Sequence, residues 1–217
     1  MNVAVCIVGW YLNIETFKRI RELKNVSNFF IVSHKLIPEK LKNNLKALDF
    51  EIYERENRGW DWGAFQQWLD LNLWQQFDYC FFMHDDLEIK KEAISNCLQL
   101  FQKNDINVIG NVRNANGKLD WPKTHPQCYK HSSWKPPSQN FKHYTVRGSF
   151  FGIPKKVLEA INGQFEINWS DEHIRIGNHS QIATCGKIAE KVGNQFYYLS
   201  NTFESEYIIE YERGKRK

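Results

Sequence analysis

The chain has 217 residues, a net charge of +4, 42% hydrophobic and 25% charged residues, which excludes a wholly disordered chain and a strongly basic nucleic-acid binder. A domain of this length buries enough apolar surface to fold without a structural metal or disulfide. The five cysteines, Cys6, Cys80, Cys97, Cys128 and Cys185, contain no CxxC pair, which points to free thiols in a reducing compartment.

Val3 to Val8 is apolar on both faces and ends at Gly9, the pattern of a buried parallel strand. Ile14, Phe17, Ile20 and Leu23 then recur at helical spacing over 14–24. Phe29 to Val32 is a second strand ending in Ser33-His34. Pro38 stands at a first helical position before Leu41, Leu45 and Leu48. Phe50 to Glu54 is a third strand, followed by the loop Asn57-Arg58-Gly59. Trp62, Phe65, Leu69 and Leu73 form one stripe over 62–76. Tyr79 to Met83 is a fourth strand that stops at His84-Asp85-Asp86. Ile94, Cys97, Leu98 and Phe101 mark a helix beginning near Lys90, and Asn107 to Val112 a fifth strand. Strands alternating with helices in this way predict right-handed crossovers and a mostly parallel sheet covered on both faces.

The second half reads differently. Residues 113–144 hold four of the six prolines and no periodic element, as a functional loop or lid does. Tyr144 to Ile153 reads as a strand, Pro154 to Ile161 as a short helix, Ser180 to Val192 as a longer one and Gln195 to Leu199 as a last strand. One domain over 1–217 is expected. The start lacks the charged and apolar regions of a secretion signal, and no run reaches the ~18 apolar residues of a spanning helix. The expected location is cytoplasmic, with the basic tail at 212–217 available for peripheral contact with an anionic membrane.

In an open parallel sheet, ligands bind beyond the carboxyl ends of the strands. Two of those ends carry dense chemistry. Two adjacent acids directly after five apolar residues, Asp85 and Asp86, suit an oxygen-seeking cation such as Mn2+ or Mg2+ with substrate phosphates. The other reading makes one of them the cap of the following helix, with Glu88 as an acid in its first turn. The segment Asn57-Arg58-Gly59-Trp60-Asp61-Trp62-Gly63 offers a tight turn into a helix N-terminus, which attracts anions. Its tryptophans either flank a base or sugar or belong to the core, with Asp61 as a cap.

Together these features resemble nucleotide-sugar-dependent glycosyltransferases of the GT-A fold, broadly family 2. Asn57 to Phe65 is similar to a loop of rhamnan-synthesis-type polysaccharide glycosyltransferases. His84-Asp85-Asp86 falls where the family carries its DXD motif. Arg147 to Pro154 resembles the glycine-rich acceptor-side strand. Asp171-Glu172-His173 with Gly186-Lys187-Ile188 resembles the block that carries the general base. The resemblance spans about residues 3–200. Ser33-His34-Lys35 departs from the family, which often has an Asp after the second strand for the donor nucleoside.

The resemblance implies a nucleotide-sugar half over about 1–112 and an acceptor half over about 113–200. It implies donor contacts from Gly9, Trp10, Tyr11, Asn57, Gly59, Asp61 and Arg147, and metal contacts from Asp85, Asp86 and His84. Asp171 or Glu172 would be the base. Acceptor contacts would come from Trp60, Trp121, Gly148, Trp169 and His173. The implied reaction is metal-dependent, inverting transfer from a nucleoside-diphosphate sugar to a polysaccharide, lipopolysaccharide or lipid-linked acceptor. A nucleotidyltransferase, and a non-catalytic carbohydrate- or nucleotide-binding protein of the same fold, are the competing readings. The high aromatic content, 15% of the chain, divides accordingly. Phe17, Phe29, Phe30, Phe65, Phe81, Phe82 and Phe101 are expected in the core. Trp10, Tyr11, Trp60, Trp62, Trp121, Trp134 and Trp169 are expected near the ligand.

Overall fold

All seven residues of β1 (Val3–Gly9) are buried, and alternate side chains enter two different cores. Val3, Val5 and Ile7 join one, and Ala4, Cys6 and Val8 join the other, as a central strand with both faces covered requires. The protein is seen here in a computed structural model that describes residues 1–113, 123, 126–130, 132–169, 176–199 and 208–210.

The remaining strands of the main sheet are β2 (Asn28–Ser33), β3 (Phe50–Glu54), β4 (Tyr79–His84), β6 (Val108–Arg113), β7 (Thr145–Pro154) and β8 (Phe196–Tyr198). Their spatial order is β3-β2-β1-β4-β7-β6-β8. The first four run parallel, β6 runs parallel to β8, and β7 is antiparallel to both β4 and β6. The sheet is therefore mixed α/β and mostly parallel. The antiparallel β7 pairs Met83 with Phe150, so its first residues, Thr145 to Gly148, run past the carboxyl end of β4 at His84.

The helices are α1 (Ile14–Arg21), α2 (Glu39–Ala47), α3 (Trp60–Asp70), α4 (Ala93–Lys103), α5 (Lys155–Ala160) and α6 (Ile176–Val192). Pro38 precedes α2 as its cap residue rather than opening it. The stripe predicted through Leu73 breaks because Asn72 turns left-handed (φ 59°) and sends Leu73–Gln76 into a separate 3-10 turn. Helix α6 begins at Ile176, ahead of the expected Ser180. Among the described residues no helix is long and apolar enough to cross a membrane. The five cysteines are buried thiols outside any disulfide.

Three sequence expectations need correction. A short strand, β5 (Leu87–Ile89), follows the acidic pair and pairs antiparallel with β9 (Ile208–Glu210). The next helix therefore starts at Ala93 with Glu92 at its cap position, and neither Asp85 nor Asp86 caps it. Glu88 lies on β5 and pairs with Arg19 at 3.5 Å. Trp62 and Trp134 are core residues. The Trp62 ring stacks on Phe151 at 4.9 Å. Trp134 packs in a satellite core with Cys128, Tyr129, Ile182 and Ala183.

That satellite core hangs on one buried acid. Glu166 Oε2 accepts from Ser132 Oγ at 2.8 Å, Ser133 Oγ at 2.7 Å and Trp134 N at 3.0 Å, and Oε1 accepts from Lys187 at 2.8 Å. Burial opposes the Glu166 charge, but Lys187, Ser133, Trp134 and Ser132 outweigh it and hold the carboxyl at about 2. The described part of the 113–144 segment is thus a folded cap with its own polar anchor.

Candidate active site

The carboxyl ends of β1 to β4, the first turn of α3 and the start of β7 meet on one edge of the sheet. The turn after β1 is rigid. Leu12 is left-handed (φ 56°), and Asn13 caps α1 by accepting from Glu15 N at 2.9 Å. Asp85 closes this turn from below. It is 1% exposed, and its Oδ2 accepts from Tyr11 N at 2.8 Å and Leu12 N at 2.6 Å. Its other oxygen, Oδ1, is buried without a partner. Burial raises the Asp85 pKa, partly offset by the backbone donors of Leu12, Trp10 and Tyr11. The side chain of Tyr11 stays exposed, but the N–H groups of Tyr11 and Leu12 are already committed to Asp85.

The turn before α3 is built by two consecutive left-handed residues, Gly59 (φ 69°) and Trp60 (φ 55°). Arg55 braces it by donating to the carbonyls of Arg58 and Trp60. Trp169 lies over this turn, since a Cβ on Gly59 would stand 3.1 Å from its ring. The turn sets Asp61 in the first turn of α3. Asp61 Oδ1 accepts from Trp62 N at 2.9 Å, and Oδ2 accepts from His84 Nε2 at 3.1 Å. His84 Nδ1 stands 3.8 Å from Asp86 Oδ1. Gly148 fits against this group because a Cβ there would lie 2.0 Å from Asp61 Oδ2. Burial pulls the His84 pKa down, yet the Asp61 hydrogen bond and the charges of Asp61, Asp86 and Asp85 outweigh it and leave the imidazole above its ordinary value.

The structure thus joins Asp61, His84, Asp86 and Gly148 in one cluster. It separates Asp85 from them in role, since that acid holds the turn after β1. Gly9 is buried in that turn, Asn57 is exposed on the loop before α3, and Arg147 is exposed at the start of β7 with no ion pair among the described residues. Trp121, Asp171, Glu172 and His173 lie outside the described residues, as does the basic tail.

Two residues were passed over in the sequence. His34, at the end of β2, is buried to 9% exposure, with both ring nitrogens lacking a partner among the described residues. Its ring lies 4.0 Å from that of Trp10, which in turn lies 5.7 Å from Trp60. Burial first, and the Arg55 charge second, lower His34 to about 3, so it is neutral at physiological pH. Arg55, lowered to about 10 by burial and Arg58, remains a cation beside it, with its Nε buried and unpartnered. The available signal was position alone, a polar residue directly at the carboxyl end of a buried strand. An unpartnered buried polar group costs about 1–3 kcal/mol. His34→Phe keeps the ring against Trp10 and removes the orphan nitrogens. It should raise the melting temperature, as read by calorimetry.

Asp86 is half-buried, and the imidazole of His84 lies beside it. Among the described residues no three His, Cys, Asp or Glu side chains group closely enough to hold a metal. The described residues that stand together here are Asp86 and His84. That fits a divalent cation whose other ligands are substrate phosphates and water.

No protein-family model and no curated protein matches the sequence. Solved structures do match in shape. Residues 1–349 of S. aureus TarS align with a TM-score of 0.60 and 12% identity, over 96% of this chain and 60% of that one. The same fragment in complex with UDP-GlcNAc gives 0.57 and 12%, over 96% and 58%. The fold is GT-A. A cytidylyltransferase from Leptospira borgpetersenii also matches, with a TM-score of 0.50 and 14% identity over 96% of this chain and 80% of that one. So does 4-diphosphocytidyl-2C-methyl-D-erythritolsynthase from Anaerococcus prevotii, at 0.51 and 10% over 91% and 86%. The GT-A fold is thus shared with nucleotidyltransferases, and this chain spans 60% of the TarS fragment's length. The cluster around His84 sits where the rule for open α/β sheets puts a ligand.

Proposed function

We propose that this chain is a nucleotide-sugar-dependent glycosyltransferase. It would move a sugar from a nucleoside-diphosphate donor to a hydroxyl of a polysaccharide, lipopolysaccharide or lipid-linked acceptor, with inversion. The observation that carries this reading is the convergence of Asp61, His84, Asp86 and Gly148 beside the Trp10–His34–Trp60 ring group. One side of the site is acidic and suited to a cation with a diphosphate. The other is aromatic with unpartnered polar atoms, suited to a planar base.

In this reading the aromatic side binds the donor nucleoside, and exposed Arg147 meets its phosphates. Mn2+ or Mg2+ held by Asp86 with the diphosphate would neutralise the charge that develops on the leaving group. Asp85 keeps the turn after β1 in shape for the donor. Trp60 stands between the donor nucleoside and the acceptor, whose side Gly148 and Trp169 border and to which Trp121 and His173 would also contribute. Asp171 or Glu172 would take the proton from the acceptor hydroxyl. The protein is expected in the cytoplasm, with its basic tail at 212–217 against the inner membrane face.

The test is thermal stability with Mn2+ and a panel of nucleoside diphosphates, followed by a screen of sugar donors for released diphosphate. A binding pair should raise the melting temperature in proportion to the logarithm of its concentration. Asp86→Ala should lose most of that rise. An unshifted melting curve with every nucleotide would remove the donor site, and a full response from Asp86→Ala would remove its metal role. The nucleotidyltransferase reading has the fold likeness in its favour. It predicts pyrophosphate release from a nucleoside triphosphate instead.

A further inference from the structure

The edge of the sheet that carries the site is also where large apolar side chains stand in solvent. Tyr11, in the turn after β1, is 46% exposed, and Leu36, in the loop after β2, is 82% exposed. Trp169, over the turn before α3, is 37% exposed. A single exposed leucine needs no explanation. Here it stands with two aromatics of the kind that sit at a membrane–water interface, on segments that follow or cover the ends of neighbouring strands. Cations share this edge. Lys35, Lys40, Arg58 and Arg147 are exposed, and none of them has an ion pair among the described residues. The exposed acids beside them are Glu39 and Glu56, so the rim carries an excess of positive charge. The opposite edge is built otherwise. There the Met1 amino group, Lys155 and Lys156 are paired with Asp78, Glu159 and Asp105.

We propose that this rim docks on an anionic lipid bilayer, with Tyr11, Leu36 and Trp169 entering the headgroup layer and the four cations against lipid phosphates. The surface is separate from the basic tail. Binding of this kind adds buried apolar area to attraction for anionic headgroups, and the rim supplies both on one side of the molecule. Docked in this way, the site opens toward the membrane. That consequence rests on the donor-site reading above and narrows its acceptor to a hydroxyl carried by a membrane lipid, at the level of the headgroups. A glycan free in solution would have to enter from the side that the bilayer covers.

The experiment uses the full chain, without nucleotide, and vesicles of one part phosphatidylglycerol to two parts phosphatidylcholine, with phosphatidylcholine alone as the control. The anionic vesicles should bind the protein at least about tenfold more tightly. The native thiols are buried, so an environment-sensitive fluorophore can be placed on Leu36→Cys and, in a second protein, on Asp105→Cys at the opposite edge. On anionic vesicles the emission should shift to the blue from position 36 and stay unchanged from position 105. Lys35→Glu with Lys40→Glu should weaken binding by more than about 20-fold, since each cation near an anionic surface is worth roughly fivefold. Leu36→Asp should weaken it about tenfold. All three side chains are exposed, so these variants should keep the melting temperature and its response to nucleoside diphosphates. Absence of binding to the anionic vesicles overturns the proposal and leaves the donor site standing. So does binding with no shift at position 36, which is what attachment through the tail alone would give. Vesicle binding with the shift, in a protein that responds to no nucleotide, upholds the docking surface and removes the donor site.

Discussion

Glu166→Ala should lower stability by about 3–5 kcal/mol, the cost of breaking a buried ion pair from one side. For a chain of this size that corresponds to roughly 10 °C in melting temperature. The loss has three sources. Lys187, itself 15% exposed, keeps its bond to the Gln164 carbonyl at 3.0 Å but loses its counter-charge. The hydroxyls of Ser132 and Ser133 and the N–H of Trp134 lose their acceptor. The segment Ser132–Trp134 then keeps the bond of Trp134 Nε1 to Glu190 at 2.7 Å and its packing on Ile182 and Ala183, but loses its anchor at Glu166. Acid should reproduce part of the effect. The Glu166 pKa falls from 4.5 unfolded to about 2 folded. Its contribution, roughly 3 kcal/mol, is therefore present above pH ~4.5 and disappears as the pH falls from there toward 2. Glu166→Gln should be less stable at neutral pH and should lose this part of the acid dependence. Chemical denaturation at pH 7 and pH 3 checks both. Equal slopes for the two proteins between those values would show that Glu166 is not the titrating group.

Gly148→Ala should cost about a hundredfold in donor turnover while leaving the fold nearly intact. The added carbon would lie 2.0 Å from Asp61 Oδ2 and 3.0 Å from Asp61 Cγ, far inside van der Waals contact. Backbone movement at Gly148 is restrained from either side, because β7 is held by β6 at Val146 and by β4 and β6 from Phe150 onward. The carboxylate of Asp61 must swing away and release His84. A displacement of about 1 Å in a positioned group is enough for a loss of this order. The melting temperature should change by only a few degrees, since the side chains at fault lie at the rim of the sheet. Diphosphate release with the best donor, alongside a melting curve, separates the two effects. Unaltered turnover would mean that the Asp61–His84 contact does not matter for catalysis.

The parallel half of the fold was readable because its strands are apolar on both faces and its helices carry clear stripes. Phe17, Phe29, Phe30, Phe65, Phe81, Phe82 and Phe101 all enter the core as their spacing requires. The direction of β7 was not readable, since an antiparallel strand buried on both faces has the same local pattern as a parallel one. Strand β5 was hidden by its length. Three residues with Leu87 and Ile89 buried about Glu88 are too few to register as alternation. In the site, Asp85 and Asp86 are the same letter twice, and only tertiary structure separates a carboxylate tied to two backbone amides from one standing beside His84. Trp60 and Trp62 present the same problem. They are two apart near the start of α3, so their directions differ by more than half a turn of helix. One reaches the Trp10 ring and the other stacks in the core.

The pairing of β5 with β9 gives the acidic turn a topological dependence. Strand β5 begins at the residue after Asp86, and its partner lies across nearly the whole second half of the chain. Closing so long a loop is entropically slow, so this ribbon belongs to the late events of folding. Three residue pairs make a marginal structure on their own, which puts its opening at the low end of the protein's local unfolding energies. The parallel strands under the site are thus the durable part of the molecule. The turn that carries His84 and Asp86 joins that durable part to a ribbon of three residue pairs.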